Sequence, residues 1–262
     1  MTSIPLTSVP NLRDVGGYPT EDGAKVRTGV YYRSTDLSRV TDVDVRLLQG
    51  LGIRTVYDLR TAGEREAAPD KVPAGARTVA LDVLADKGMR SIPAQMLQVI
   101  ADPMIAEHAL GGGKAVEYFE GSYRDFVLMP SAIASYRMMF ADLAEQNTTP
   151  ALVHCTTGKD RTGWATAALL LLLGVPEDDV FRDYLLTNEL LLPTFTKVFE
   201  KFAAQGGDPA LLEPVLGVRR HYLEVSLAVM RAEFGTVENY FTAGLGLDIG
   251  IQAALRERMI TD

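Results

Sequence analysis

Residues 150–163 read PALVHCTTGKDRTG, and this stretch decides the fold that the sequence predicts. Ala151 to His154 form a short apolar run after Pro150, the pattern of a buried strand, and Arg161 to Leu173 form an apolar helix. The loop from Cys155 to Arg161 joins the two. A strand–loop–helix unit of this kind places its loop at the carboxyl edge of a sheet, where α/β proteins bind their ligands.

The residue types in this loop predict a phosphate site with a reactive thiol. The first N–H groups of the helix lack partners within the helix and can point at an anion, and Gly158 permits a tight turn. A helix N-terminus and a nearby arginine both favour the thiolate of Cys155, which is a nucleophile toward phosphorus. The planar guanidinium of Arg161 matches two phosphate oxygens, and Thr162 can donate a hydrogen bond to the sulfur.

The sequence therefore predicts Cys155 and Arg161 as catalytic residues. The residues that we expect to bind the phosphate of the substrate are Thr156, Thr157, Gly158, Lys159 and Thr162. Two interpretations of Lys159 stay open: its charge serves a multiply phosphorylated substrate, or its side chain points to solvent.

The first third of the chain alternates strand and helix patterns, which indicates an α/β layer structure. The predicted strands are Val30 to Tyr32, Ile53 to Leu59 and Thr78 to Val83. A helix is predicted from Thr41 to Leu51, with an apolar side formed by Val43, Leu47, Leu48 and Leu51. A capping box at Thr61 to Glu64 opens a second, short helix.

Residues 87–130 interrupt this alternation with two helical patterns. The first of them contains Ile92, Met96, Val99 and Ile100, and the second runs from Lys114 to Leu128. Three glycines, 111–113, lie between the patterns and are a plausible hinge. The segment is either a helical insertion on the surface or a lid over the active site.

From Ser131 the α/β pattern returns with a helix from Ser131 to Glu145, and the chain after Pro176 is mostly helical. Of the 262 residues, 47% are hydrophobic and 23% are charged, the ordinary balance of a globular chain. Because no linker rich in Pro, Gly or Ser is visible, the sequence predicts one domain over residues 1–262.

Charge and cysteine content restrict the partners and the compartment. A net charge of −8 argues against binding to nucleic acid or to an anionic membrane. A single cysteine excludes an intramolecular disulfide and suits a reducing compartment. We therefore expect a cytoplasmic protein. Export by a route that needs no signal peptide stays open. The longest apolar run, Ala165 to Val175, is too short to cross a bilayer.

The histidines and the cysteine do not have the spacing of a zinc site. The residues considered are His108, His154, His221 and Cys155. The sequence therefore predicts no metal ion and no cofactor.

The pattern H-C-x-x-G-K-D-R-T-G at residues 154–163 resembles the signature loop of protein tyrosine phosphatases and dual-specificity phosphatases. More narrowly, it is similar to the loop of the PtpB-like group of bacterial protein tyrosine phosphatases. Further segments that match this group are Asn11–Asp14, Tyr32–Ser38, Asp58–Arg60 and Leu216–Arg219. The resemblance covers most of the chain.

The resemblance implies a phosphotyrosine protein phosphatase-like fold, with a central, mostly parallel sheet flanked by helices and with residues 87–130 as a helical lid. It also implies metal-independent hydrolysis of phosphate monoesters through a cysteinyl-phosphate, with release of inorganic phosphate. The implied substrate is protein phosphotyrosine, with phosphoserine and phosphothreonine as further substrates.

Two alternatives to this function stay open. Lys159 and Asp160 also resemble residues in the loops of phosphoinositide phosphatases, so a lipid substrate is one alternative. A catalytically idle phosphate-binding module is the other, and the intact set of Cys155, Asp160 and Arg161 argues against it.

The general acid has three candidates, because leaving-group protonation requires a carboxyl group within hydrogen-bond reach of the ester oxygen. Asp82 and Asp86 follow a predicted strand, at the place that matches the acid loop of most tyrosine phosphatases. The PtpB-like group is implied to use the loop aspartate, which is Asp160 here. We rank Asp160 first, Asp82 second and Asp86 third.

The residues that we expect in structural pairs rather than on the phosphate are Arg13, Asp14, Arg33 and Arg60.

Overall fold

The computed structural model describes residues 2–90 and 99–261. The strands of its main sheet are β1 (Thr2–Ser3), β2 (Arg13–Asp14), β4 (Tyr31–Ser34), β5 (Thr55–Asp58), β6 (Arg77–Ala80) and β7 (Ala151–His154). Within the described residues they form a six-stranded sheet in the order β1-β2-β4-β7-β5-β6. A separate two-stranded sheet pairs β3 (Lys25–Val26) with β8 (Ile260–Thr261).

The sheet is mostly parallel and has β7 at its centre. The strands β4, β7, β5 and β6 run parallel to one another, whereas β1 and β2 add an antiparallel edge next to β4. The register aligns Ser34, His154, Asp58 and Ala80 at one end of the parallel strands. The segments that follow these four residues therefore meet at the same carboxyl edge.

Alternate residues of the central strands point to opposite faces of the sheet, as strand geometry requires. Val153 and Tyr57 belong to the larger hydrophobic cluster, which also contains the buried residues of most helices. Leu152 and Val56 belong to a smaller cluster with the N-terminal segment. Both faces of the sheet are covered, which explains the continuous apolar runs of its central strands.

Helices flank the sheet. Those that precede β7 are α1 (Asp42–Gly50), α2 (Ala62–Ala67), α3 (Pro103–Leu110), α4 (Lys114–Leu128) and α5 (Pro130–Leu143). Those that follow β7 are α6 (Arg161–Leu172), α7 (Glu177–Leu191), α8 (Thr196–Ala204), α9 (Glu213–Leu216), α10 (Arg220–Phe234), α11 (Val237–Asn239) and α12 (Ile249–Met259). Short 3₁₀ turns lie at Ala85–Arg90, Leu192–Phe195 and Pro209–Leu211, and a π-helical turn lies at Tyr240–Gly244. The predicted α/β fold with a mostly parallel sheet flanked by helices is confirmed.

The predicted apolar side of α1 is wrong in part. Val43 and Leu47 are 58% and 53% exposed, and the buried residues of the helix are Asp44 and Leu48. Asp44 accepts hydrogen bonds from the amide and the hydroxyl of Ser8. These bonds turn Asp44 toward the protein, so the buried stripe runs through a polar residue that a hydrophobic pattern cannot detect.

The strand predicted from Thr78 to Val83 ends earlier, at Ala80. The chain turns there because both carboxylate oxygens of Asp82 accept from backbone amides, Oδ1 from Leu84 and Oδ2 from Ala62. The capping box predicted at Thr61 is present, with Glu64 as its acidic partner.

The described part of the region predicted as a helical insertion is mostly helical, with a turn at residues 111–113. Ile92 and Met96 lie outside the described residues. Gly112 and Gly113 adopt positive φ and connect α3 to α4. A surface insertion does not describe α4, because Phe119, Tyr123 and Phe126 are buried and the helix packs against α10. Movement of residues 87–130 as a lid stays a prediction.

No helix within residues 2–90 and 99–261 combines the length and the apolar composition that a membrane span requires.

Candidate active site

The loop predicted to carry the chemistry lies at the carboxyl edge of β7, between β7 and α6. Its turn depends on Gly158, which has a φ of +65°. A Cβ atom at this position would lie 2.0 Å from the carbonyl oxygen of Ser34, a distance that no side chain tolerates. Glycine is therefore required both for the backbone conformation and for the close approach of the loop to β4.

The carbonyl groups of the loop are held from outside by neighbouring segments. The side-chain amide of Asn11 donates to the carbonyls of Thr157 and Gly158, at 3.3 Å and 3.1 Å. Nη2 of Arg33 donates to the Gly158 carbonyl at 2.7 Å. The amide of Asp36 donates to the carbonyl of Thr156 at 3.1 Å. With these carbonyls bound from outside, the amide groups of the loop are available for an anion.

Arg13 and Arg33 share one buried carboxylate, Asp183 on α7. Nε of Arg13 and Nη1 of Arg33 lie 2.9 Å and 2.7 Å from its oxygens. Burial raises the pKa of Asp183, but the two guanidinium groups outweigh burial, and the pKa is lower than its ordinary value. The two arginines thus form structural pairs that support the loop. Asp14, by contrast, accepts from the amides of Gly16 and Gly29.

Cys155 is buried, and its surroundings favour the thiolate. Burial by itself raises the pKa of the thiol. The charge of Arg161 and the neighbouring Thr162 act in the opposite direction and leave the pKa below its ordinary value. A thiol in such a site is a good nucleophile.

The guanidinium of Arg161 is fixed by Glu64, a residue whose role in the site the sequence analysis missed. Nη1 donates to Oε2 of Glu64 and Nη2 to Oε1, both at 2.8 Å. Thr156 also donates to Oε1 of Glu64 through its hydroxyl, and Nη1 of Arg161 reaches the carbonyl of Leu59 at 3.2 Å.

The pKa of Glu64 reflects these contacts. Burial raises it, but the pairing with Arg161 and the bond from Thr156 outweigh burial and hold the pKa at about 2. The capping box identified Glu64 as a helix-capping residue only. Its position just after the carboxyl end of β5, at the same edge of the sheet as the loop, was the available signal.

Asp160 is held by two donors. Tyr123 of α4 donates through its hydroxyl to Oδ1 at 2.9 Å, and Nζ of Lys159 lies 2.9 Å from Oδ1 and 2.8 Å from Oδ2. The Tyr123 oxygen lies 2.5 Å from that of Tyr184 on α7. Nζ of Lys159 also lies 4.3 Å from the ring centre of Phe119.

Lys159 does not point to solvent, since the residue is only 4% exposed. The structure thus brings Cys155, Asp160, Arg161 and the intervening residues into one loop. The carboxylates of the other two acid candidates bind backbone amides outside the loop. Asp82 binds the amides of Ala62 and Leu84, and Asp86 accepts from the amide of Ser131 at the start of α5.

A buried ionic cluster lies beside the loop. Asp58, Asp70 and His154 bring one potential ligand atom each to within 4.8 Å of one another. Both carboxylates, however, bind the guanidinium of Arg60, whose Nη2 lies 2.7 Å from Oδ2 of Asp58 and 2.7 Å from Oδ2 of Asp70. We therefore assign an ionic cluster rather than a metal site.

The fold and the loop define a class of α/β enzyme that binds a phosphate group between a parallel strand and the helix after it. Within this class the chain belongs to the tyrosine phosphatase family, whose sequence profile matches residues 4–261. The chain is therefore a phosphatase, and the family that the loop and the four matching segments predict is confirmed.

Individual relatives agree with this assignment. The chain is 32% identical over 255 residues to a protein of Cupriavidus necator named as a candidate tyrosine-protein phosphatase, covering 92% of this chain and 84% of that protein. It is 29% identical over 272 residues to the triple specificity protein phosphatase PtpB of Mycobacterium tuberculosis, covering 95% of this chain and 94% of that protein. A tyrosine-protein phosphatase of Nostoc commune is 29% identical over 163 residues, covering 62% of this chain and 49% of that protein.

Proposed function

We propose that this phosphatase hydrolyses the phosphate ester of protein phosphotyrosine through a cysteinyl-phosphate on Cys155. The observation that carries the proposal is the position of Cys155 at the start of a loop whose carbonyls are bound from outside. A thiol with a lowered pKa and the fixed guanidinium of Arg161 then act on the same anion. This is the arrangement that in-line attack on phosphorus requires.

The reaction has two steps. In the first, the thiolate of Cys155 attacks phosphorus, the S–P bond forms, the ester P–O bond breaks, and the acid gives its proton to the leaving oxygen. In the second, water attacks phosphorus and gives a proton to the same carboxylate, the S–P bond breaks, and the electron pair returns to sulfur. Arg161 and the loop amides stabilise the charge on the phosphoryl oxygens in both steps, and Thr162 stabilises the departing thiolate.

Asp160 is the proposed general acid, with Asp82 second and Asp86 third. Asp160 precedes Arg161 directly, and its side chain is 18% exposed, so an ester oxygen can reach it. Asp82 would first have to release the amides of Ala62 and Leu84, which bind both of its oxygens. Asp86 would have to release the backbone amide of Ser131, which donates to its carboxylate.

Phosphoprotein is the proposed substrate class, with phosphotyrosine preferred over phosphoserine and phosphothreonine. One relative is named a triple specificity protein phosphatase. Nζ of Lys159 is held 2.8 Å from Oδ2 of Asp160 within the loop, which favours contact with the transferred phosphate over the extra phosphates of a lipid headgroup. The residues proposed to bind the phosphate remain Thr156, Thr157, Gly158, Lys159 and Thr162, and the product is inorganic phosphate.

The test combines a substrate panel with one substitution. Phosphate release is measured on phosphotyrosine, phosphoserine and phosphothreonine peptides and on phosphoinositide vesicles, each with and without EDTA. We expect the highest kcat/KM on phosphotyrosine, no effect of EDTA, and no release by Cys155→Ser, which should still bind the peptide. Turnover by pure Cys155→Ser would refute the cysteinyl-phosphate, and a highest kcat/KM on the lipid would refute the substrate class.

A further inference from the structure

The residue before the cysteine, His154, is completely buried, and an oxygen atom lies close to each nitrogen of its ring. Nδ1 lies 3.0 Å from the carbonyl oxygen of Cys155, and Nε2 lies 3.2 Å from Oδ2 of Asp70. Carbonyl and ionised carboxylate oxygens accept hydrogen bonds but cannot donate them. Nδ1 therefore carries a proton, which it donates to the Cys155 carbonyl. Nε2 has no aligned hydrogen-bond partner within the described residues, so its protonation depends on the charges around the ring.

The charges of the cluster favour a second proton on the ring, which makes His154 an imidazolium. The side chains of Asp58 and Asp70 are only 2% and 5% exposed, and both bind Arg60. One guanidinium balances one of these two carboxylates, and a buried charge without a counter-charge is unfavourable. Asp36 adds a third carboxylate 4.0 Å from Arg60. His154 contacts both buried carboxylates, since its Nδ1 also lies 4.0 Å from Oδ1 of Asp58.

Asp70 is the member of the cluster that links these charges. Its Oδ2 contacts both Arg60 and His154, while its Oδ1 accepts from the amide of Leu37 at 2.7 Å. It comes from the loop after α2, so it is brought to the ring of His154 by the fold and not by the sequence around the cysteine.

We propose that Asp70 is a positioning residue for the catalytic loop, which keeps His154 as an imidazolium and acts through it on Cys155. The inference rests on the proposed role of Cys155 as the nucleophile. Through Nδ1 the imidazolium donates to the Cys155 carbonyl and orients the first peptide group of the loop. Its positive charge, one residue from the sulfur, adds to that of Arg161 in favouring the thiolate.

The pKa values of His154 and Asp70 agree with a protonated ring beside an ionised carboxylate. Burial lowers the pKa of His154, but Asp70, Asp58 and the Cys155 carbonyl outweigh burial and raise the pKa above its ordinary value. Burial likewise raises the pKa of Asp70, and His154, Arg60 and the Leu37 amide together leave it lower than usual.

The first measurement leaves the cluster intact. The chain has three histidines, and His108 and His221 are exposed, so His108→Gln/His221→Gln leaves His154 as the single imidazole. Its ¹³C and ¹⁵N chemical shifts are recorded at pH 7.5 after EDTA treatment. An ordinary histidine, with a pKa of about 6.5, is about nine-tenths neutral there. We expect the imidazolium signature, and a neutral ring overturns the proposal.

The second measurement removes the charge of Asp70 in the same background. Asp70→Asn should make the ring neutral at pH 7.5 and raise the midpoint of the pH-dependent alkylation of Cys155 by iodoacetamide by about one unit. At a pH below both midpoints, the alkylation rate should fall about tenfold. Cys155 is the single thiol, so the rate reports on it alone.

Asp14→Asn is the matched control, because it also removes a buried carboxylate, one whose partners are the amides of Gly16 and Gly29. It should change neither the protonation state of the His154 ring nor the pH midpoint of Cys155 alkylation. If Asp70→Asn leaves the ring protonated, or neutralises it without moving the midpoint, the proposal is wrong. If Asp70→Asn does not fold, His154→Gln replaces it, and an unchanged midpoint again refutes the proposal.

Neither measurement involves turnover, so they separate the two proposals. Phosphate release by Cys155→Ser would overturn the proposed function and leave the state of His154 unaffected. A neutral His154 would overturn the role of Asp70 and leave the cysteinyl-phosphate intact.

Discussion

Glu64 caps a helix and also fixes the guanidinium of Arg161. Its backbone amide and that of Thr61 complete the capping box, and both of its carboxylate oxygens reach Arg161. Two of the five N–H groups of Arg161 are therefore used for orientation by Glu64, and the remaining ones stay available for the carbonyl of Leu59, for Thr156 and for a phosphate.

Glu64→Gln should lower kcat on p-nitrophenyl phosphate by about ten- to a hundredfold, the scale expected for misplacing one catalytic group. The substitution should also remove a pH dependence of stability. Because the pKa of Glu64 falls from 4.5 to about 2 on folding, its stabilisation is present above pH 4.5 and is lost as the pH falls toward 2.

Urea unfolding at pH 5 and at pH 3 measures this effect. The free energy of unfolding of the wild type should fall by about 2 kcal/mol more than that of Glu64→Gln between these two pH values. Equal losses in the two proteins would contradict the assigned ion pair with Arg161.

The identity of the general acid is tested by leaving-group dependence. Asp160→Asn should slow hydrolysis of phenyl phosphate by roughly a hundred- to ten-thousand-fold, the usual scale for losing acid catalysis. It should slow p-nitrophenyl phosphate less, because that leaving group needs less protonation. Asp82→Asn is the comparison variant and should show no such difference between esters. If Asp82→Asn shows it and Asp160→Asn slows both esters equally, the roles are exchanged.

Among the elements, those that carry the site were the easiest to predict. The strand Ala151–His154 and the helix that begins at Arg161 lie where the sequence places them, because their apolar runs are continuous and the loop between them has distinctive residue types. The inward turn of Asp44 and the early end of β6 could not be predicted. Both depend on hydrogen bonds from residues distant in the sequence, Ser8 and Ala62.

The same limit applies to the site. Cys155, Asp160 and Arg161 are neighbours in sequence, so a local pattern reveals them together. Glu64 and Tyr123 reach the loop only through the fold. Their residue types are common, and nothing in the local sequence separates them from an ordinary helix cap and an ordinary core tyrosine.

Residues 87–130 contact the loop through one of their helices, α4, whose Tyr123 donates to Asp160. If residues 87–130 form a lid, binding of vanadate should slow hydrogen exchange there, because an occupied loop holds Asp160 and hence its partners in place. Exchange measured by mass spectrometry checks this, with α12 (Ile249–Met259) as the reference segment. Unchanged exchange throughout residues 87–130 would count against a lid.

At the scale of the whole molecule, a negatively charged chain places two cationic side chains in one loop, and each is paired with a carboxylate, Arg161 with Glu64 and Lys159 with Asp160. The net charge is −8, yet Arg161 lies at the helix N-terminus with Lys159 beside it. The larger hydrophobic cluster joins the sheet to helices on either side of β7 in the sequence, including Tyr57, Phe126, Trp164 and Leu255.

One continuous core of this kind predicts that the chain unfolds as a single domain. Trp164 is the single tryptophan and is buried in the cluster. Its fluorescence and the far-ultraviolet circular dichroism should therefore give coincident urea transitions. Two separated transitions would indicate more than one independently stable unit and would contradict the single domain predicted over residues 1–262.

The central position of β7 has a consequence for the order in which a nascent chain folds. Both strands that pair with it, β4 and β5, are complete by Asp58, whereas β7 begins only at Ala151. On the ribosome these two strands emerge early, each with an open edge and no partner between them, while helices such as α4 and α5 form from local contacts. The strand that closes this gap is followed at once by Cys155, so the nascent chain completes its sheet and its phosphate-binding loop in the same folding event.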